Sequence, residues 1–146
     1  MKIDYRPASD SDLSDIVKLL QNNDLPITDI TNSDIQLFVG TYNNVLVGVI
    51  GIEIYSSTGL LRSLAVDDSF KKLNIGTTLI NRLFNNSKLR NIKDVYLLTE
   101  TAEKYFEKFN FQSIDRSNVP DIIMETQEFK EICPVSATVM HRNIVE

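Results

Sequence analysis

Apolar residues recur along this chain with two spacings, and the two spacings alternate. Leu13, Ile16, Val17 and Leu20 share one face of a 3.6-residue period, which predicts a helix opened by Ser9 or Asp10. Ile75, Leu79, Ile80, Leu83 and Phe84 repeat that signature and predict a longer helix with one buried face. Runs rich in β-branched and aromatic residues predict strands over 2–6, 37–42, 45–55, 60–66, 92–98, 111–115 and 135–141. Asn43-Asn44 is suited to a two-residue hairpin loop, and Ser56-Ser57-Thr58-Gly59 reads as the turn into the fourth strand. A short helix is expected over 103–109. Residues 22–33 read as loop, alone or with a short helix, and after Pro120 one short helix through Met124 and another near Glu128 are expected. Strands alternating with helices predict an α/β domain.

The strand over 60–66 empties through a polar turn into the helix that starts at Ile75. The first turn of that helix holds no acidic residue, and Lys71 and Lys72 stand just ahead of it. Unpaired N–H groups at a helix start, with the positive end of the dipole, suit an anion such as phosphate. Taken alone, two lysines in such a turn read better as a solvated surface.

The turn Lys71-Lys72-Leu73-Asn74-Ile75-Gly76 resembles the Arg/Gln-x-x-Gly-x-Gly/Ala pyrophosphate loop of the GNAT superfamily of acyl-CoA N-acyltransferases. Lys71 stands in the Arg/Gln position and keeps the charge without the planar fork. Asn74 stands where the first glycine is usual; asparagine tolerates a left-handed backbone better than other non-glycine residues. Downstream, Glu100 to Phe111 resembles the family's Phe-Tyr-x-Lys-x-Gly-Phe signature, with Asn110 in the glycine position. The resemblance runs from Ile3 to Met140. It implies a single GNAT domain over 1–146, with a mixed, mostly antiparallel sheet splayed between its two central parallel strands and helices on both faces.

The resemblance also implies acetyl-CoA as co-substrate. Backbone groups of Leu64, Ala65 and Val66 would pair with the pantetheine arm as with an added strand. Lys71, Lys72, Leu73, Asn74, Ile75, Gly76 and Thr77 would hold the pyrophosphate. A neutral amine would then attack the thioester directly, in a ternary complex. Glu53 and Glu100 are the base candidates, with a water chain as the other; a solvated carboxylate is the competing reading of both and the preferred one for Glu53. The family's thiolate-protonating tyrosine falls at Phe106. Its neighbour Tyr105 is offset by about 100° around a helix, so a packing role competes with that of acid. The alternative is a non-catalytic acyl-CoA-binding or regulatory module with a degenerate site.

For the acceptor, Arg62 on a central strand suits a carboxylate or a structural ion pair, and Ser63, Thr99 and Thr101 are further substrate candidates. The stretch from Leu98 to Ala102 and the tail from Arg116 to Met140 resemble the amino-acid N-acetyltransferase branch. That branch includes the acetyltransferase domain of N-acetylglutamate synthase and the small acetyltransferases of arsenic-resistance operons. An acceptor amine with an amino-acid head follows from that likeness, with Arg116 and Ser117 as further candidates or plain surface residues.

Composition narrows the classes. The 146 residues suffice for one core. A net charge of -5 argues against general nucleic-acid affinity, so any phosphate site must be a local patch. No apolar run reaches membrane-spanning length, and no signal-peptide pattern opens the chain. Cys133 is the single cysteine, which excludes an internal disulfide and fits a cytoplasmic setting. With one cysteine and one histidine, His141, no metal-ligand cluster can be written, and no metal is expected. Cys133 reads as packing and His141 as solvent-facing. The oligomeric state, monomer or homodimer, is left open.

Overall fold

The computed structural model describes residues 2–27, 30–31, 35–86, 91–126, 129–130 and 136–144. In chain order these give β1 (Asp4–Pro7), α1 (Leu13–Asn22), β2 (Ile35–Tyr42), β3 (Val45–Tyr55), β4 (Thr58–Val66), α2 (Ile75–Phe84), β5 (Asp94–Thr99), α3 (Glu103–Glu107), β6 (Gln112–Ile114), α4 (Asp121–Met124) and β7 (Thr138–Asn143). The strands form one mixed sheet in the order β1-β2-β3-β4-β5-β7-β6. β4 and β5 run parallel, with Thr58, Gly59 and Leu60 opposite Asp94, Val95 and Tyr96; the pairs β1/β2, β5/β7 and β6/β7 are antiparallel. No helix among the described residues is long and apolar enough to cross a membrane.

The chain condenses into two compact units. The first comprises Met1–Ile52 with Arg62–Arg90. Its core gathers Ile16, Leu19 and Leu20 of α1 with Val39, Val49 and Ala65 from the sheet. Gly48, next to Val49, faces the opposite way, where a Cβ would come within 2.9 Å of Ile75 and 3.1 Å of Leu79. Helices α1 and α2 therefore cover opposite sides of the same strands, as period-2 alternation dictates. Asn43 and Asn44 have φ of 49° and 64°, the two positive values that a tight hairpin turn with matching twist needs.

The second unit comprises Glu53–Leu61 with Asn91–Glu146. Leu60, Tyr96, Val119, Ile123 and Val139 form its core, with Tyr55, Leu98, Ile114, Met124 and Phe129 packed around them. Several strand boundaries differ from the sequence reading. The turn into β4 needs only Ser56 and Ser57, because Ser56 takes φ 59°, so the strand begins at Thr58. β5 begins at Asp94 and not at 92, since the N–H groups of Lys93 and Asp94 are drawn to the Ser57 carbonyl at 2.7 and 3.3 Å. β7 starts at Thr138, three residues later than expected; residue 135, Cys133 and the helix expected near Glu128 lie outside the described residues.

At the start of the first unit, Arg6 grips Asp12 with both terminal guanidinium nitrogens, at 2.7 and 2.9 Å. Asp12 also accepts the Ser9 N–H at 2.7 Å, closing the turn that opens α1. The Arg6 hydrogen bonds hold the Asp12 carboxyl far below its ordinary 3.8, against an opposing push from burial, with Ser9 adding to the fall. The folded pKa is depressed, so this stability is full above about 4 and is lost as the pH falls toward the folded value. Asp12→Ala should cost about 1–2 kcal/mol near neutral pH. In urea titrations, the gap between wild type and Asp12→Asn should narrow as the pH drops from 5 to below 3.

Candidate functional site

β4 is not a regular strand. Ser63 in its middle has φ 59°, a left-handed backbone that costs a non-glycine residue roughly 1–3 kcal/mol. Side-chain parity slips at the same place. A Cβ on Gly51 would touch Leu37 at 2.9 Å and the Arg62 Cγ at 3.6 Å, so Arg62 lies on the Leu37 side of the sheet. Ala65 packs with Leu37 and Val49 as well. Residues three apart on a regular strand face opposite ways, so one residue has been inserted between them, as in a β-bulge. The Arg62 Nε donates to the Ser63 Oγ at 3.1 Å, and the two residues are 4% and 8% exposed.

Beyond the bulge the strand end is fixed. The Asp67 N–H donates to the Val47 carbonyl at 2.8 Å, and the Asp67 carboxylate accepts the Ser69 N–H at 2.9 Å. Residues Asp68–Leu73 wind into a 3-10 turn, and Asn74 follows with φ 58° and ψ 29°. The left-handed conformation expected of Asn74 is therefore present without a glycine. α2 then starts with no side chain capping it and no acid in its first turn. Its first residue, Ile75, is fully buried against the lane left by Gly48, which holds the helix start close to the sheet. Lys71 pairs with Asp68 at 2.9 Å, both exposed; Lys72, Leu73 and Asn74 are exposed as well. Free N–H groups, a positive dipole end and accessible lysines together fit a phosphate-bearing group.

In the second unit the predicted residues have different surroundings. Thr99 Oγ1 accepts the Ala102 N–H at 3.0 Å, bridging the end of β5 to the start of α3; Glu100 and Thr101 are exposed. Tyr105 is half-buried, its ring 5.4 Å from that of Phe106 and 5.3 Å from that of Phe109. Phe106 is buried edge-on against Phe111 at 5.9 Å. Asn110 has φ 68°, the second left-handed asparagine at a family glycine position.

Three sequence readings are corrected. Glu53 is no solvated carboxylate: it is 2% exposed, and the Tyr55 hydroxyl two residues on, along the same strand face, donates to it. His141 does not face solvent freely. It lies opposite Tyr96 across the β5/β7 ladder, stacks on that ring at 4.7 Å, and bonds Asp94 at 2.7 Å. Burial and, secondarily, Asp94 raise the Tyr96 hydroxyl above its ordinary value of 10. Arg116 is engaged structurally, donating to the Ala137 carbonyl at 3.0 Å with its guanidinium over the Phe129 ring at 4.9 Å. Among the described residues no three His, Cys, Asp or Glu side chains gather as a metal group. What sequence reasoning missed is backbone: the bulge at Ser63 and the lanes opened by Gly48 and Gly51. Glycines inside a strand are the one signal that pointed there.

Comparison with known proteins agrees with this arrangement. The acetyltransferase (GNAT) domain model matches residues 33–113, more than half of the chain. No curated protein matches the sequence. Among solved structures, a GNAT-family acetyltransferase from Staphylococcus aureus Mu50 is 20% identical, with TM-score 0.78 over 99% of this chain and 100% of its own. N-acetylglutamate synthase from Neisseria gonorrhoeae, solved with coenzyme A and N-acetyl-glutamate, is 16% identical, with TM-score 0.81. All of this chain is covered, but only 36% of the synthase. The ribosomal-protein-S18-alanine N-acetyltransferase of Escherichia coli is 16% identical, with TM-score 0.76 over 99% of this chain and 96% of its own. Identities this low speak for the shared fold, and acetyl-CoA as co-substrate fits the family. With the domain model covering both the bulged strand and the uncapped helix behind it, the chain belongs to the GNAT acetyltransferase family.

Proposed function

We propose that residues 1–146 act as one acetyltransferase domain, moving the acetyl group of acetyl-CoA to the primary amine of a small, amino-acid-like acceptor. The observation that carries this reading is the continuous run from the bulge at Ser63 to the uncapped start of α2. In it, residues 64–66 offer backbone N–H and C=O groups to an amide-bearing arm. Residues 71–77 offer N–H groups and lysines to the pyrophosphate, and a backbone amide polarises the thioester carbonyl. Much of the acceleration would come from holding amine and thioester together, worth ~7 kcal/mol or more when well aligned.

Arg62 binds the acceptor's carboxylate in this reading, with Ser63, Thr99 and Thr101 as further substrate contacts. The amine needs only to be neutral, so a water chain or the exposed Glu100 suffices as base. The buried Phe106 in the family tyrosine position favours two consequences. Either no side chain protonates the leaving thiolate, or the protein binds acyl-CoA without turnover. Release of free thiol from acetyl-CoA across a panel of amino acids separates these, because a binding module releases none.

Three variants test the parts. Gly76→Val places a branched side chain where the backbone must approach the pyrophosphate, and should abolish CoA binding by calorimetry; unchanged affinity would sink the cofactor assignment. Arg62→Lys keeps the charge and loses the fork, so acceptor affinity should fall about tenfold while CoA affinity holds. Equal loss of both, or simple unfolding, would make Arg62 structural. Tyr105→Phe keeps the ring contacts with Phe106 and Phe109 and should retain most of kcat. A drop of ~10²-fold or more with CoA binding intact would instead give Tyr105 the acid role.

A further inference from the structure

We infer that Phe70 is a positioning residue for the pyrophosphate segment, its ring seated on Tyr42 so that the turn before α2 is held against the β2–β3 hairpin. This deepens the proposed function and rests on its pyrophosphate seat at residues 71–77. Phe70 fits neither neighbouring hydrophobic pattern. β4 ends at Val66, the buried stripe of α2 begins at Ile75, and apart from Leu73 the residues between them are otherwise polar. Leu73 is 44% exposed, whereas Phe70 is half-buried in a turn whose other residues, Asp68, Ser69, Lys71 and Lys72 included, face solvent. A merely solvated turn has no use for a ring turned inward.

Three attachments among the described residues hold this segment, and all of them run to one hairpin. At the front, the Asp67 N–H donates to the Val47 carbonyl at 2.8 Å, and the Asp67 carbonyl accepts the Phe70 N–H at 2.9 Å. At the rear, Ile75 is fully buried in the lane at Gly48. Between them the Phe70 ring meets Tyr42, with centroids 6.0 Å apart and planes tilted by 54°. Tyr42 closes β2 and runs straight into Asn43 and Asn44, whose positive φ values shape the hairpin turn. Its ring is therefore placed by the hairpin and not by the loop it supports.

The middle attachment sets the aim. Without it, the backbone between Asp67 and Ile75 is left to the exposed Lys71–Asp68 pair at 2.9 Å, and pairs of that kind hold little. A tilted aromatic pair holds more, and this one acts on the residue directly before the two lysines. N–H groups reward an anion only when they point at it, so a loosened turn forfeits phosphate affinity before it forfeits the fold. The pantetheine arm, in the proposed reading, pairs with residues 64–66 ahead of Asp67 and does not depend on the turn. Ligands with and without the pyrophosphate therefore separate aim from general stability.

The test compares the Kd of CoA, by calorimetry, with that of pantetheine, the same thiol arm without pyrophosphate or nucleotide, by NMR titration. Wild type should bind CoA about a hundredfold tighter or more. Phe70→Ala and Tyr42→Ala should each weaken CoA about tenfold and leave pantetheine within about twofold. The double variant should be little worse than either single one, because both remove the same contact. Phe70→Tyr and Tyr42→Phe keep both rings and should retain CoA affinity. If an alanine variant fails to fold, Phe70→Leu and Tyr42→Leu, which lose the ring and keep apolar bulk, carry the measurement. Equal loss for both ligands, or a wild-type CoA preference that survives in the variants, overturns the role of Phe70 and leaves the pyrophosphate seat standing. A wild type that binds pantetheine as tightly as CoA overturns the pyrophosphate seat, and this inference with it.

Discussion

Much of the geometry here follows from one backbone angle, the positive φ of Ser63. A strand that slips by one residue turns every later side chain to the other face. Because the slip falls between Arg62 and Ala65, Ala65 points into the core under α1 while Leu64 and Val66 stay half-buried on either side of it. A regular β4 would turn Ala65 away from Val39 and Val49 and break the core that α1 closes. The stability of the first unit and the presentation of residues 64–66 are thus two results of the same kink, and the strain it stores is balanced by apolar burial around it.

The second constraint is close approach. α2 lies near the sheet because Gly48 has no side chain, and Ile75 and Leu79 fill that lane. The chain must then turn sharply at Asn74 to enter a helix whose first residue is already buried. Both Asn74 and Asn110 meet a demand for left-handed φ in positions where the family pattern has glycine. The physical requirement is therefore the dihedral angle, and asparagine satisfies it at a modest cost. A motif written in residue letters is stricter than the backbone it stands for.

That difference explains what was legible in the sequence. The helical repeats of α1 and α2, the span of β3 and the Asn43-Asn44 turn were readable because hydrophobic period and turn chemistry are local. The family's two motifs were readable through their exchanges because asparagine is the natural stand-in. Arg62, Ser63 and residues 64–66 and 71–77 were readable as candidates, but the bulge was not, since serine carries no signal for positive φ. Glu53 and His141 were misjudged for one reason: their partners, Tyr55 and Tyr96 with Asp94, come from strand pairing and from the core face, which polarity alone does not reveal. β5 starts two residues later than the pattern predicts because the Ser57 carbonyl takes the Lys93 and Asp94 N–H groups.

Charge gives the remaining argument. The loop carries Asp67, Asp68, Lys71 and Lys72, whose formal charges cancel, in a chain of net charge -5. Asp67 is occupied with the Ser69 N–H, and Lys71 with Asp68. An exposed pair of that kind is worth about 0–1 kcal/mol and yields readily to a stronger anion. In the proposed pyrophosphate site, net attraction therefore cannot be the main source of affinity. Directed N–H groups at the start of α2 are left to supply it, and their worth depends on geometry that salt screens little at hydrogen-bond distance. The left-handed Asn74 and the lane at Gly48 set that geometry, which is why a loop short of its usual arginine and glycine still has what an anion needs.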